Sequence, residues 1–182
     1  MTLAAQNLTP VTMELGGKSA NIVFASADLE KAVDGALLGI FSNNGQQCLA
    51  GSRIFLESGI AGDFIDTLIT RTQNIRVGDP FDPETEIGAL GSMTHMEKVL
   101  SYVGIGQKEG GKLLTGGEMI EELAPGAFMQ PTLMHVGDNA MRVCQEEIFG
   151  PFGVIQTFDS ANQAWALAND TSFGLVSYVW SE

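Results

Sequence analysis

Two hydrophobic periods alternate along this chain, and that alternation constrains its fold more than any other feature. Short apolar runs bounded by Gly, Pro, Asn or Asp read as strands. Stretches with apolar residues every three or four positions read as helices. Val11-Thr12-Met13-Glu14-Leu15 reads as a strand stopped by Gly16-Gly17, and Asn21 to Ala25 as a second. Asp28 then stands as an N-cap before Leu29, Ala32, Val33, Ala36, Leu37 and Ile40, which predicts a helix from Asp28 to Ser42. Arg53 to Glu57 is a strand, and Ile60 to Asn74 a helix with Phe64, Ile65, Leu68 and Ile69 on its inner side. After the turn-rich Gly78-Asp79-Pro80-Phe81-Asp82-Pro83, a helix is predicted from Thr94 to Lys108 and a short strand over Lys112-Leu113-Leu114. Strand-like pieces surround Pro131 between Phe128 and Val136. Phe152 to Phe158 is a strand, Ser160 to Asn169 a helix and Leu175 to Trp180 a last strand. Strands alternating with helices predict an α/β fold, a mainly parallel sheet with flanking helices.

The length of 182 residues suits one domain, and neither repeat, linker nor low-complexity tract divides it. Hydrophobic residues make up 45% and charged residues 17%, enough apolar material for a core. With 9 basic against 22 acidic residues the net charge is −13, which argues against nucleic acid or an anionic membrane as the main partner. No apolar stretch reaches the ~18 residues of a membrane span, and no signal peptide is visible. Two distant cysteines, Cys48 and Cys144, do not make a disulfide scaffold, so a reduced cytoplasmic protein is expected.

Three segments carry candidate chemistry. Cys48 follows a helix and the polar run Ser42-Asn43-Asn44-Gly45-Gln46-Gln47, in a loop before a strand. It reads either as a nucleophile, with the backbone N–H groups of Gln47 and Cys48 as oxyanion donors, or as a small buried hydrophobe. Glu14 ends an apolar run just before Gly16-Gly17. Half-buried there, its carboxylate suits a general base; solvated, it is only a strand-end charge. Gly16-Gly17-Lys18-Ser19 ends like a phosphate-binding loop, but the required upstream glycine is missing. In Glu146-Glu147-Ile148-Phe149-Gly150-Pro151, an acid suits ribose hydroxyls and an aromatic suits a flat ring; the alternative is an acidic turn with Phe149 in the core. Cys144, His95 and His135 read as structural, Trp165 and Trp180 as core, and Glu118, Glu121 and Glu122 as a solvated loop. No ligand spacing supports a metal site.

Together the three segments resemble the aldehyde dehydrogenase superfamily. Glu14-Leu15-Gly16-Gly17-Lys18 is similar to its glutamate signature, and Gly45-Gln46-Gln47-Cys48-Leu49-Ala50-Gly51-Ser52-Arg53 to its cysteine signature. Glu147-Ile148-Phe149-Gly150-Pro151 is similar to its cofactor-contact motif. The order of the motifs fits, and the likeness extends to Val77-Gly78-Asp79-Pro80 and Leu114-Thr115-Gly116-Gly117. The resemblance implies NAD or NADP as cofactor and a small-molecule aldehyde as substrate. It implies Cys48 as nucleophile, Glu14 as the base that activates water, Glu147 on the nicotinamide ribose and Phe149 beside the nicotinamide. Glu14 implies hydrolysis of the thioester rather than transfer to coenzyme A. Members add an asparagine to the oxyanion hole, for which this sequence has no candidate. Members are far longer, so residues 1–182 are expected to be a fragment of the cysteine-bearing catalytic domain. Its N-terminal Rossmann-like cofactor domain and C-terminal remainder are expected to be absent, and the parent enzyme to be a homodimer or homotetramer. Two alternatives stay open: a cofactor-free thiol esterase, and a non-catalytic structural or interaction fragment.

Overall fold

The computed structural model describes residues 1–182. Six strands form one sheet: β1 (Ala20–Val23), β2 (Arg53–Glu57), β3 (Lys112–Thr115), β4 (Thr132–His135), β5 (Phe152–Phe158) and β6 (Ser177–Trp180), in the order β3-β4-β5-β2-β1-β6. All neighbours are parallel except β3, which runs antiparallel along β4. The helices are α1 (Thr2–Gln6), α2 (Leu29–Phe41), α3 (Ala61–Gln73), α4 (Met93–Lys108), α5 (Arg142–Gln145) and α6 (Ala161–Asn169).

The central strands are apolar on both faces because helices cover both. Under α2 and α3, Val33, Ile40, Phe64 and Leu68 pack with Ile54, Leu56 and Ile155 of β2 and β5. Under α4, Met96, Val99 and Tyr102 pack with Met134, Phe152 and Val154. Alternation along β5 thus sends Val154 to one layer and Ile155 to the other. Helix starts follow the expected chemistry. The side chains of Asp28, Ser92 and Ser160 accept from the backbone N–H groups of Lys31, His95 and Gln163, satisfying otherwise orphaned donors.

The apolar run at Val11–Leu15 is not a strand. It makes no ladder, and Val11, Met13 and Leu15 are exposed. Both edges of β1 are already taken by β2 and β6, so the run finds no partner there. The last strand starts at Ser177 rather than Leu175. Trp165 is 42% exposed on α6, its ring 5.7 Å from that of Phe24, and is not core. Trp180 is half-buried, donating from Nε1 to Asn21 Oδ1 at 2.9 Å and lying over Gly35. No helix is long and apolar enough to cross a membrane.

Candidate active site

Three loops enter three adjacent parallel strands from the same edge of the sheet. Residues 14–19 lead into β1, 45–52 into β2 and 147–151 into β5. Ala20 pairs with Arg53 and Arg53 with Val154, so the register lines up the three entry points. Glu14, Cys48, Glu147 and Phe149 all face one open cavity of about 450 Å³, with Gly16 and Gln47 also in its lining.

The cysteine loop is folded by its asparagines. After α2, Asn43, Asn44 and Gly45 adopt φ of 50°, 59° and 68°, a left-handed run that Asn and Gly tolerate best. Asn44 donates to the Ala89 carbonyl at 2.7 Å and accepts from the Gly88 N–H at 3.0 Å. Gln46 Oε1 accepts from the Gly91 N–H at 3.0 Å. The loop is therefore seated on residues 88–91, just before α4. A Cβ on Gly45 would stand 2.1 Å from the Gly150 carbonyl oxygen, so this loop also touches the third one. Cys48 is half-buried, and the N–H groups of Gln47 and Cys48 donate to no protein acceptor.

The extended Gly16-Gly17 segment joins the other two loops. The Gly17 N–H donates to Glu147 Oε1 at 2.9 Å. A Cβ on Gly16 would lie 2.2 Å from Glu147 Oε2, and one on Gly17 would lie 2.2 Å from the Cys48 carbonyl oxygen. Only glycines let the Glu147 carboxylate and the Cys48 backbone come this close. Glu14 itself is exposed, so of its two readings the solvated setting is the one found. Next along the chain, Lys18 is buried, and burial brings its ammonium pKa down to about 7, with Arg53 adding to the effect while Cys144 and Glu147 oppose it. Arg53, also buried, donates to the carbonyls of Lys18, Leu167 and Ala168 at 2.9, 3.0 and 2.9 Å. Cys144 is a core thiol, its pKa pushed up to about 11 by burial.

The two neighbouring acids of the third loop part company. Glu146 accepts from Arg142 Nε and Tyr102 Oη, both at 2.7 Å, and these bonds hold its carboxyl below the usual range. Glu147 turns to the cavity instead. Phe149 is not core: it is 38% exposed, with φ at +62°. Its carbonyl accepts from His95 Nε2 at 2.6 Å, and the two rings meet edge to face at 6.2 Å. His95, expected to be merely structural, thus reaches the site. Asn44, Gln46 and His95 were not among the candidates. Asn43-Asn44-Gly45 carried a signal, since Asn before Gly marks left-handed turns; Gln46 stood inside the cysteine segment without a role read for it, and nothing local pointed to His95.

The sequence profile of the aldehyde dehydrogenase family matches residues 1–182. The 5-carboxymethyl-2-hydroxymuconate semialdehyde dehydrogenase of Escherichia coli is 46% identical over 96% of this chain and 38% of its own length. The betaine aldehyde dehydrogenase of Bacillus subtilis is 46% identical over 100% of this chain and 38% of its own. Among solved structures, betaine aldehyde dehydrogenase from Staphylococcus aureus in complex with NAD+ superposes with a TM-score of 0.94 at 41% identity, covering 100% of this chain and 36% of that one. HpcC from Thermus thermophilus superposes with a TM-score of 0.95 at 45% identity, over 100% and 36%. The chain spans little more than a third of the length of these relatives. Along all of its 182 residues, the chain belongs to the aldehyde dehydrogenase family.

Proposed function

We propose that this chain carries the nucleophile and base of an NAD(P)-dependent aldehyde dehydrogenase, which oxidises a small-molecule aldehyde to its acid. One observation carries the reading: Cys48, Glu14, Glu147 and Phe149, drawn from three separate segments, face a single cavity. Cys48 Sγ, as thiolate, adds to the aldehyde carbon and forms a thiohemiacetal. The free N–H groups of Gln47 and Cys48 are the donors for its oxyanion. A bound nicotinamide supplies the acceptor for the hydride lost from that carbon. The thioester left on Cys48 is then hydrolysed. Glu14 takes a proton from water as the water attacks, the C–S bond breaks, and the acid and the thiolate are released. Glu147 and Phe149 fit the cofactor. One carboxylate oxygen is fixed by Gly17 while the other takes no protein donor, leaving it for a ribose hydroxyl, and the exposed Phe149 ring offers a flat face. The NAD+ complex of the Staphylococcus relative supports this cofactor class. Two free cysteines suit a reducing compartment such as the cytoplasm.

A second reading, cofactor-free acyl transfer, is favoured by the presence of thiol, oxyanion donors and base within this one chain. A p-nitrophenyl acetate burst tests the part both readings share. A burst is expected in the wild type and Cys144→Ser and not in Cys48→Ser. A burst that survives Cys48→Ser would remove Cys48 as nucleophile. Absorbance of NADH on adding NAD and an aldehyde then separates the two readings.

A further inference from the structure

We infer that His95 is a positioning residue: its Nε2–H holds the Phe149 carbonyl, and thereby keeps the Phe149 ring in the cavity shared with Cys48. The inference rests on the proposed role of Phe149 as a nicotinamide contact. Phe149 is not placed where stability alone would put a phenylalanine. Its neighbours Ile148 and Gly150 are buried, yet its own ring is exposed. Its φ of +62° lies in a region that bulky L-residues rarely adopt. An exposed ring on a strained backbone needs anchors, and His95 supplies the side-chain hydrogen bond made to Phe149 itself.

The geometry is specific. A carbonyl only accepts, so the 2.6 Å contact requires the proton on Nε2. His95 stands in the first turn of α4, its N–H capped by Ser92 Oγ at 3.1 Å. Beyond it, the buried Met96 and Val99 fix the helix in the core. Val99 also closes on the next residue of the loop, where a Cβ on Gly150 would meet Val99 Cγ2 at 2.6 Å. Helix α4 therefore holds the Phe149 carbonyl through His95 and packs against the next residue, Gly150, through Val99. The same helix follows residues 88–91, which seat the cysteine loop through Asn44 and Gln46. His95 thus ties the cofactor side of the site to the element that holds the nucleophile side.

Without this anchor, the ratio of left-handed to other backbone states at Phe149 falls by about 2- to 13-fold, the worth of one hydrogen bond. Affinity for a ligand that needs the ring in place falls by up to the same factor. The test compares the wild type with His95→Phe, which keeps a ring without a donor, and His95→Gln, which keeps a side-chain N–H. The first readout is the backbone 13C and 15N chemical shifts of Phe149, with those of Ile54 and Val154 as the control for an intact sheet. Left-handed shifts are expected in the wild type and His95→Gln and lost in His95→Phe. The second readout is NADH titrated by its fluorescence, with the same loss in His95→Phe and recovery in His95→Gln. Left-handed shifts that persist in His95→Phe overturn the inference. Phe149 released in His95→Phe, with NADH bound equally by all three forms or by none, upholds the anchor and overturns the nicotinamide role of Phe149 instead.

Discussion

Gly17→Ala is expected to disable Cys48 without altering any group that takes part in chemistry. The new Cβ would stand 2.2 Å from the Cys48 carbonyl oxygen and 3.3 Å from its carbon, where real Cβ atoms essentially never come closer than 3.0 Å. What lies ahead is backbone, so no rotamer change relieves it, and the two segments must part by roughly 0.8 Å. Overpacking of this kind costs about 1–3 kcal/mol of stability, and a displacement near 1 Å costs a reacting group about 10²-fold. Gly16→Ala is the matched control. Its Cβ meets the carboxylate of Glu147 at 2.2 Å, the far end of a side chain that swings aside. The loss there is the bond from the Gly17 N–H to a carboxylate, worth about 1.5–3 kcal/mol. The assay is the p-nitrophenyl acetate burst rate, with urea denaturation to establish that each variant is folded. The burst should slow by about 10² in Gly17→Ala and by far less in Gly16→Ala. A folded Gly17→Ala that acylates at the wild-type rate would refute the claim that this glycine pair sets the position of Cys48.

Two further outcomes follow from burial. In the native chain one thiol, Cys48, is expected to react rapidly with Ellman's reagent, while buried Cys144 reacts only on unfolding; two fast thiols, or a fast phase retained in Cys48→Ser, would contradict this. Burial lowers the Lys18 pKa from 10.5 to about 7 in the folded state, so between those values the unfolded chain binds the extra proton and native stability rises with pH. Lys18→Met should therefore be more stable than the wild type at pH 7, with the advantage shrinking toward pH 9, below the 9.0 to about 11 range in which Cys144 contributes. Urea denaturation across that range reads it, and a pH-independent difference would falsify the buried-ammonium account.

The strands that lie deepest were the most legible. Arg53–Glu57 and Phe152–Phe158 run as the apolar pattern indicates, because strands covered on both faces must be apolar throughout. The same reasoning misplaced Val11–Leu15, since an apolar run says nothing of whether a neighbouring ladder has a free edge. Helix α5 is a single turn, too short to show a period. Trp165 was misread because composition does not say which side of α6 faces out. The four residues brought together at the cavity were legible as motifs, but the parts that aim them were not. Gln46 and His95 act on segments more than forty residues away, through contacts that only the folded chain defines.

All three site loops enter the sheet where its parallel strands begin, which leaves the edge where they end without any of the four cavity residues. There the turn after β2 runs through Ser58 and Gly59, and a Cβ on Gly59 meets nothing within 4 Å. Ser58 Oγ bonds Asp159 Oδ1 at 2.6 Å and so braces this turn against the one after β5. The length of β2, roughly 16 Å at about 3.3 Å per residue, separates Gly59 from the entry of the cysteine loop. Extra residues in such a turn add little closure entropy. A linker or surface tether built in at Gly59 would hold the molecule by its back, with the cavity turned toward the solution.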